Sequence, residues 1–212
     1  MDVHGRLFTN LILYQFGVMQ GGNVGIDDPT TAKDYYVALR LDFGESNFAR
    51  FSLSAFAYFG FETARVPLAT DLSEAGEFVD WRRYGIGFNV VYKWLDLYGS
   101  YIFDQLKNVP DALKPVFDDD ASGLSIEADF LLSEKWLLSL RYDLLDAGGV
   151  KVDTGSVIGR RRQGQTVGIQ PRFYLRENIA LFARYQVNLE EEEDHPLRSW
   201  RHAVFLGTDV VF

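Results

Sequence analysis

The 212-residue chain carries 30 acidic against 21 basic side chains, and a formal net charge of −9 excludes nucleic-acid binding through a basic stripe. It has no cysteine, which excludes disulfides, thiol catalysis and cysteine-held metals. Hydrophobic residues reach 47%, yet no run approaches the roughly 18 unbroken apolar residues of a membrane helix, and aromatics at 15% favour strands and membrane interfaces.

Asp2-Val3-His4-Gly5-Arg6 is not the charged and then apolar opening of a secretory signal. The numbering is therefore expected to start on a mature or recombinant chain, or on a piece of a longer one. A first alternating segment runs from about Arg6 to Gly17, with Leu7, Leu11 and Leu13 on one side and Arg6, Asn10 and Tyr14 on the other. Its phase is the least clear in the chain. A long polar loop, Met19 to Ala32, follows.

The second segment sets Tyr35, Val37, Leu39, Leu41 and Phe43 against Asp34, Tyr36, Arg40 and Asp42. Gly44-Glu45-Ser46-Asn47 turns it into a third, where Phe51, Leu53, Ala55, Ala57, Phe59 and Phe61 oppose Arg50, Ser52, Ser54, Tyr58 and Glu62. After a loop from about Arg65 to Val79, Tyr84, Ile86, Phe88, Val90, Tyr92 and Trp94 oppose Arg83, Gly85, Gly87, Asn89 and Lys93. A tight turn near Trp94-Leu95-Asp96 leads to Leu97, Gly99, Tyr101 and Phe103 against Asp96, Tyr98, Ser100 and Asp104.

The next loop, Lys107 to Ser122, holds Asp118-Asp119-Asp120. Beyond it Leu124, Ile126, Ala128, Phe130 and Leu132 face away from Ser125, Glu127 and Asp129. Ser133-Glu134-Lys135 reverses the chain into Trp136, Leu138, Leu140, Tyr142 and Leu144, opposite Ser139, Arg141 and Asp143. The loop from Asp146 to Gln163 carries Arg160-Arg161-Arg162. Val167, Ile169, Pro171, Phe173 and Leu175 then oppose Thr166, Gly168, Gln170 and Arg172. Arg176-Glu177-Asn178 turns into Ile179, Leu181, Ala183, Tyr185 and Val187, opposite Phe182, Arg184, Gln186 and Asn188. A last loop, Glu190 to Arg201, precedes a closing strand with Val204, Leu206, Thr208, Val210 and Phe212 on one face.

Three regularities emerge. The segments run about 10 to 13 residues, enough to cross a bilayer at a tilt of roughly 45°. Connections alternate long and short, as when long loops lie outside the cell and short turns lie in the periplasm. The apolar faces carry no charge and end in aromatics. Phe43, Phe51, Trp94, Trp136, Phe173 and Phe212 fall at the short-turn end, and Tyr35, Phe61, Tyr84, Phe103, Tyr142 and Tyr185 at the long-loop end. Two such girdles are what interface chemistry predicts.

Lipid offers backbone groups no partners, so strands cross it only as a closed barrel. The expected fold is all-β: a transmembrane antiparallel up-and-down β-barrel of about ten strands, in a single domain over 1–212. An even strand number would return both termini to the periplasmic side. A soluble two-sheet sandwich burying the same faces is the competing architecture.

The chain resembles the bacterial outer-membrane β-barrel superfamily over nearly its whole length. Leu138-Ser139-Leu140-Arg141-Tyr142-Asp143 and Gly168 to Asn188, with Tyr174-Leu175-Arg176-Glu177-Asn178 and Arg184-Tyr185, look like the final hairpins of general and phosphate-selective porins. The resemblance implies an outer-membrane location, lipid and lipopolysaccharide as surroundings, and engagement of the assembly machinery through the C-terminal strand. Those relatives are longer, so the chain could be the C-terminal part of a larger barrel, or of a larger membrane complex. Phosphate-type porins use a lysine-rich lumen; the predicted lumen here offers only Lys93.

That lumen would be lined by Arg40, Asp42, Arg50, Glu62, Arg83, Lys93, Asp104, Glu127, Asp129, Arg141, Asp143, Arg172 and Arg184, with Arg6, Asp34, Asp96 and Asp209 on the same faces. Two functions follow from this balance of charge. One is a narrow porin-like channel for small polar solutes. The other is a non-conducting barrel plugged by ion pairs, acting as a structural or surface-binding module. Barrels of about eight strands are just filled, whereas sixteen or more leave a channel.

Glu190-Glu191-Glu192-Glu193-Asp194 lacks calcium-loop spacing and reads as a solvated run, as does Asp118-Asp119-Asp120. Arg160-Arg161-Arg162 could contact lipopolysaccharide phosphates. Asp194-His195 does not match the spacing of the omptin-type barrel proteases, so no enzyme activity, metal or cofactor is expected.

Overall fold

Alternation at a period of two, sustained past the length of an ordinary strand, commits the chain to extended backbone with two chemically distinct faces. The computed structural model describes residues 1–8, 11–20, 33–46, 49–63, 78–107, 120–147, 162–189 and 201–210. Within them lie eleven strands and no helix. These are β1 (Asp2–Leu7), β2 (Ile12–Gln20), β3 (Lys33–Ser46), β4 (Ala49–Thr63), β5 (Phe78–Tyr92) and β6 (Leu95–Lys107). They continue with β7 (Asp120–Ser133), β8 (Trp136–Ala147), β9 (Arg162–Arg176), β10 (Ile179–Asn188) and β11 (His202–Val210).

All eleven belong to one sheet in strict chain order, each antiparallel to the next. The sheet is not closed: β1 and β11 are its edges. The closed barrel expected from the sequence is thus not formed among the described residues, where β11 pairs with neither β1 nor β2.

The strand count differs from the expected ten because the first segment is two strands. The chain reverses between Phe8 and Leu11, where the Leu11 amide donates to the Phe8 carbonyl at 3.1 Å and Phe8 takes a left-handed φ of 50°. A reversal resets the side-chain phase. Leu7 now faces Ile12, Gly5 faces Tyr14, and Leu13 shares the other face with Arg6. That is why no single phase fitted the segment. Met19, expected in a loop, lies in β2 opposite Asp34.

An odd count also overturns the expectation that both ends of the chain meet at one side. β1 and β11 run in the same direction, so Met1 and Val210 sit toward opposite ends of the sheet. The Met1 amino group donates to the Val18 carbonyl at 2.8 Å, near the start of the long connection after β2. Val210 lies opposite Ile179, next to the short turn.

Register keeps chemistry in rows. One row runs Tyr14, Leu39, Ala55, Ile86, Tyr101, Leu124 and Leu144 across β2 to β8. The adjacent row runs Leu13, Arg40, Ser54, Gly87, Ser100, Ser125, Asp143 and Thr166. The burial is inverted relative to a water-soluble fold. Ile86 is 64% exposed and Leu206 80%, while Ser52, Ser139 and Gln170 on the other face are at or below 5%. Ala180 is the one buried hydrophobic residue among those described, and it too lies on the polar face.

Glycines let aromatic rings lie flat on that sheet. Phe56 covers Gly85 and Phe182 covers Gly207, each directly across the ladder, where an added Cβ would meet the ring at 2.1 and 2.4 Å. Gly44 has φ +86° as β3 enters its turn, a conformation that favours glycine.

The strands overrun their predicted ends. On the apolar face this adds Lys33, Asp80, Arg82, Lys107, Asp120 and Asp146, so the whole face is not charge-free. These charges lie beyond Tyr35, Tyr84 and Phe103 toward the long connections, with Arg82 and Asp80 3.9 Å apart. The charge-free part is a band bounded by aromatics.

Candidate functional site: the polar face of the sheet

The polar face is an ordered network rather than a scatter of charges. At its centre Arg83 forms a two-pronged pair with Asp104 on the neighbouring strand, Nε to Oδ1 and Nη2 to Oδ2, both 2.7 Å. The Arg83 guanidinium also rests 4.5 Å from the centre of the Trp81 ring. Arg40 pairs with Asp42 two residues along β3, at 2.7 Å. Arg50 is on the same face, opposite Val91. Glu62 lies in β4 opposite Val79. Directly opposite Arg83, the Tyr58 hydroxyl donates to Asp34, and toward the short turns the Asn89 side-chain amide donates to Asp96.

A second cluster spans β7 to β10. Arg141 sits between Asp143, 2.8 Å from its Nε, and Glu127 across the ladder, 3.5 Å from Nη1. Tyr98 hydrogen-bonds Glu127 from β6, and Ser125 and Thr166 hydrogen-bond Asp143. Arg184 Nε donates to the Gln170 side-chain oxygen at 2.7 Å. Glu127, Arg141, Asp143, Gln170 and Arg184, with Ser139, Gly168 and Gln186, line a polar cavity of about 150 Å³. Two carboxylates and two guanidiniums share it, so its formal charge is balanced.

Arg172 reaches across β10 to Asp209 at 3.1 Å and also hydrogen-bonds Tyr174. Its Nε and the Asp129 Oδ1 are buried without a hydrogen-bond partner. Each such atom forfeits solvation, a cost that water bound in the network would relieve.

One predicted lining residue departs from the pattern. Lys93 lies in the two-residue turn between β5 and β6, with φ 52°, and its amine is 5.1 Å from the Tyr92 ring centre. The turn occupies Lys93-Trp94, one position earlier than expected, so Lys93 leaves the ladder. Alternation alone cannot tell the last residue of a strand from the first of a turn.

Sequence reading placed Tyr36 and Phe182 on the polar face, as found, but passed over Phe56, Trp81 and Phe205, three further large aromatics there. The signal for one of them was available: Phe56, like Phe182, sits at a polar-phase position opposite glycine.

The aromatic residues pair as well as align. Toward the short turns, Phe43 stacks on Phe51 at 5.8 Å, Trp94 on Phe130 at 5.9 Å, and Trp136 lies 4.8 Å from Phe173. Toward the long connections, Tyr84 meets Phe59 edge-on at 6.0 Å and lies opposite Phe103. Tyr185 stacks on His202 at 5.9 Å, its hydroxyl 2.7 Å from Nδ1. Tyr35 lies opposite Phe59, and Tyr142 opposite Ile126 and Val167. Phe61 is in β4 opposite Asp80. Phe212 lies outside the described residues, as do Asp118, Asp119, Arg160, Arg161 and the acidic run with Asp194-His195. Asp120 and Arg162 open β7 and β9.

Compared with known proteins, the chain matches no protein-family model and no curated relative.

Proposed function

We propose that this sheet crosses a bacterial outer membrane as the wall of a β-barrel, and that the barrel is a porin-like channel for small polar solutes. The observation that carries the reading is the inversion of burial: aliphatic and aromatic side chains stand exposed in a band, while Asp34, Ser52, Ser139 and Gln170 on the other face are buried. In water such a band would be a large aggregation-prone surface. In lipid it is the favourable outer face, and its aromatic edges match the headgroup regions.

From Tyr35 to Phe43 the band follows eight residue steps along β3, roughly 27 Å of strand. Tilting such a strand gives a height close to the hydrocarbon thickness that outer-membrane barrels span. The polar face then lines a lumen whose Arg–Asp and Arg–Glu pairs orient a solute carrying its own charges. β11 is the strand through which the outer-membrane assembly machinery engages, and lipopolysaccharide surrounds the long-connection end.

Purified protein inserted into planar bilayers is expected to give discrete single-channel conductance. A silent bilayer over inserted, heat-modifiable protein would instead support a non-conducting barrel. The observation that favours this second reading is the mutual neutralisation of the Arg83, Arg141 and Arg172 pairs.

A further inference from the structure

We infer that the two edges of the sheet, β1 and β11, are joined by an odd number of further amphipathic strands, supplied by polypeptide outside these 212 residues. The inference rests on the membrane-barrel reading above, and it concerns how that barrel closes.

Three observations carry it. The first is direction. Eleven strands in unbroken antiparallel order leave β1 and β11 pointing the same way. A single strand between them, running opposite to both, makes two antiparallel seams, and any odd number does the same. The second is length. β1 has six residues and β11 nine, so direct closure would be a parallel seam leaving part of β11 without partners. Backbone groups left unpaired within a bilayer are costly, and parallel pairing is the weaker ladder. The third is phase. β1 keeps the alternation of the wall, with Val3, Gly5 and Leu7 on the apolar face and Asp2, His4 and Arg6 on the polar one. It is built as wall, not as an arm to be peeled away.

The alternatives fail on the same grounds. Closing β11 onto β2 would break the six-residue register from Asp2↔Gly17 to Leu7↔Ile12 and leave the apolar side of β1 unhoused. A second copy inserted in the same membrane orientation presents only edges that run parallel to these. What fits both edges is a segment whose strands run the other way between them, with apolar residues beside Val3 and Leu7 at one seam and Val204 and Leu206 at the other. The joined barrel has at least twelve strands, which widens the lumen beyond the nearly filled interior of barrels of about eight.

The test uses the protein in its native membrane with a photo-crosslinking phenylalanine analogue at Leu206, which is 80% exposed, and separately at Val3. Crosslinked peptides are identified by mass spectrometry. The expected result at both positions is a peptide from outside residues 1–212 with alternating apolar residues. Crosslinks from Leu206 to β1 or β2, to a second copy of these residues, or to lipid alone would overturn the inference.

The chain has no cysteine, so a Phe16→Cys/Leu206→Cys pair gives an independent reading. Efficient disulfide formation within one molecule would establish ten-strand closure and also overturn it. Protein recovered without detergent, outside the membrane fraction, would remove the proposed function and this inference together. An intramolecular crosslink in membrane-inserted protein would remove only this inference.

Discussion

The two faces of this sheet share one backbone and one register, yet they are held together in different ways. On the polar face charged side chains find partners on their own strand or one or two strands away: Arg141 meets Asp143 along β8 and Glu127 across the ladder, Arg83 meets Asp104, and Arg172 meets Asp209. On the apolar band the side chains meet mostly other apolar groups across the ladder, as Phe43 meets Phe51, and otherwise stand open. A polar face can satisfy itself within the chain. An apolar face depends on what surrounds it, so the two faces should respond very differently to the same kind of change.

The largest expected effect is a charge in the middle of the apolar band. Leu39→Arg, or Ile86→Arg two strands away in the same row, should cost about 2–4 kcal/mol at mid-depth and prevent refolding into vesicles. Loss of the heat-modifiable gel band is the readout. Wild-type refolding of both variants, or a soluble monomer without detergent, would break the comparison at its root.

Next comes Gly85→Val, which drives a side chain into the ring of Phe56. Overpacking of this kind costs about 1–3 kcal/mol. A urea titration should show it, and Phe56→Ala should return part of the loss by opening the space.

Arg83→Ala removes both hydrogen bonds to Asp104, but the pair is partly exposed, so a loss of about 1 kcal/mol is expected. It should shrink further in high salt, where exposed charges are screened. Smallest is Arg40→Ala. Its partner Asp42 lies on the same strand and both are part-exposed, so a shift below about 0.5 kcal/mol is expected. A loss as large as that of Leu39→Arg would show that the polar face, not the apolar one, dominates stability.

Much of this architecture was legible residue by residue. The facing of Leu39 against Arg40, of Leu53 against Ser54 and of Leu140 against Arg141 follows from counting by twos. The turns at Ser133 to Lys135 and Arg176 to Asn178 fell at short polar stretches between such runs. Counting failed where the chain folded back on itself. The reversal at Phe8 placed two short strands inside one apparent segment, and residues on either side of it obey different phases. It failed again at Lys93, where alternation continues by coincidence into a turn.

Ion-pair partners were beyond reach for a different reason. Arg172 had Asp129, Asp143 and Asp209 as carboxylates of the same phase, and only the register, with its shift between Ile179 and Ala180, brings Asp209 to 3.1 Å.

The sequence by itself determined which side chains share a face and where the apolar band begins and ends. Side-chain alternation is a local property of extended backbone and needs no knowledge of the partner strand. The tertiary structure decided the rest: eleven strands rather than ten, the particular carboxylate each guanidinium meets, and the common direction of the two edges. Those depend on register and strand count summed across the whole sheet, and a single added reversal changes them without altering the alternation within any other strand.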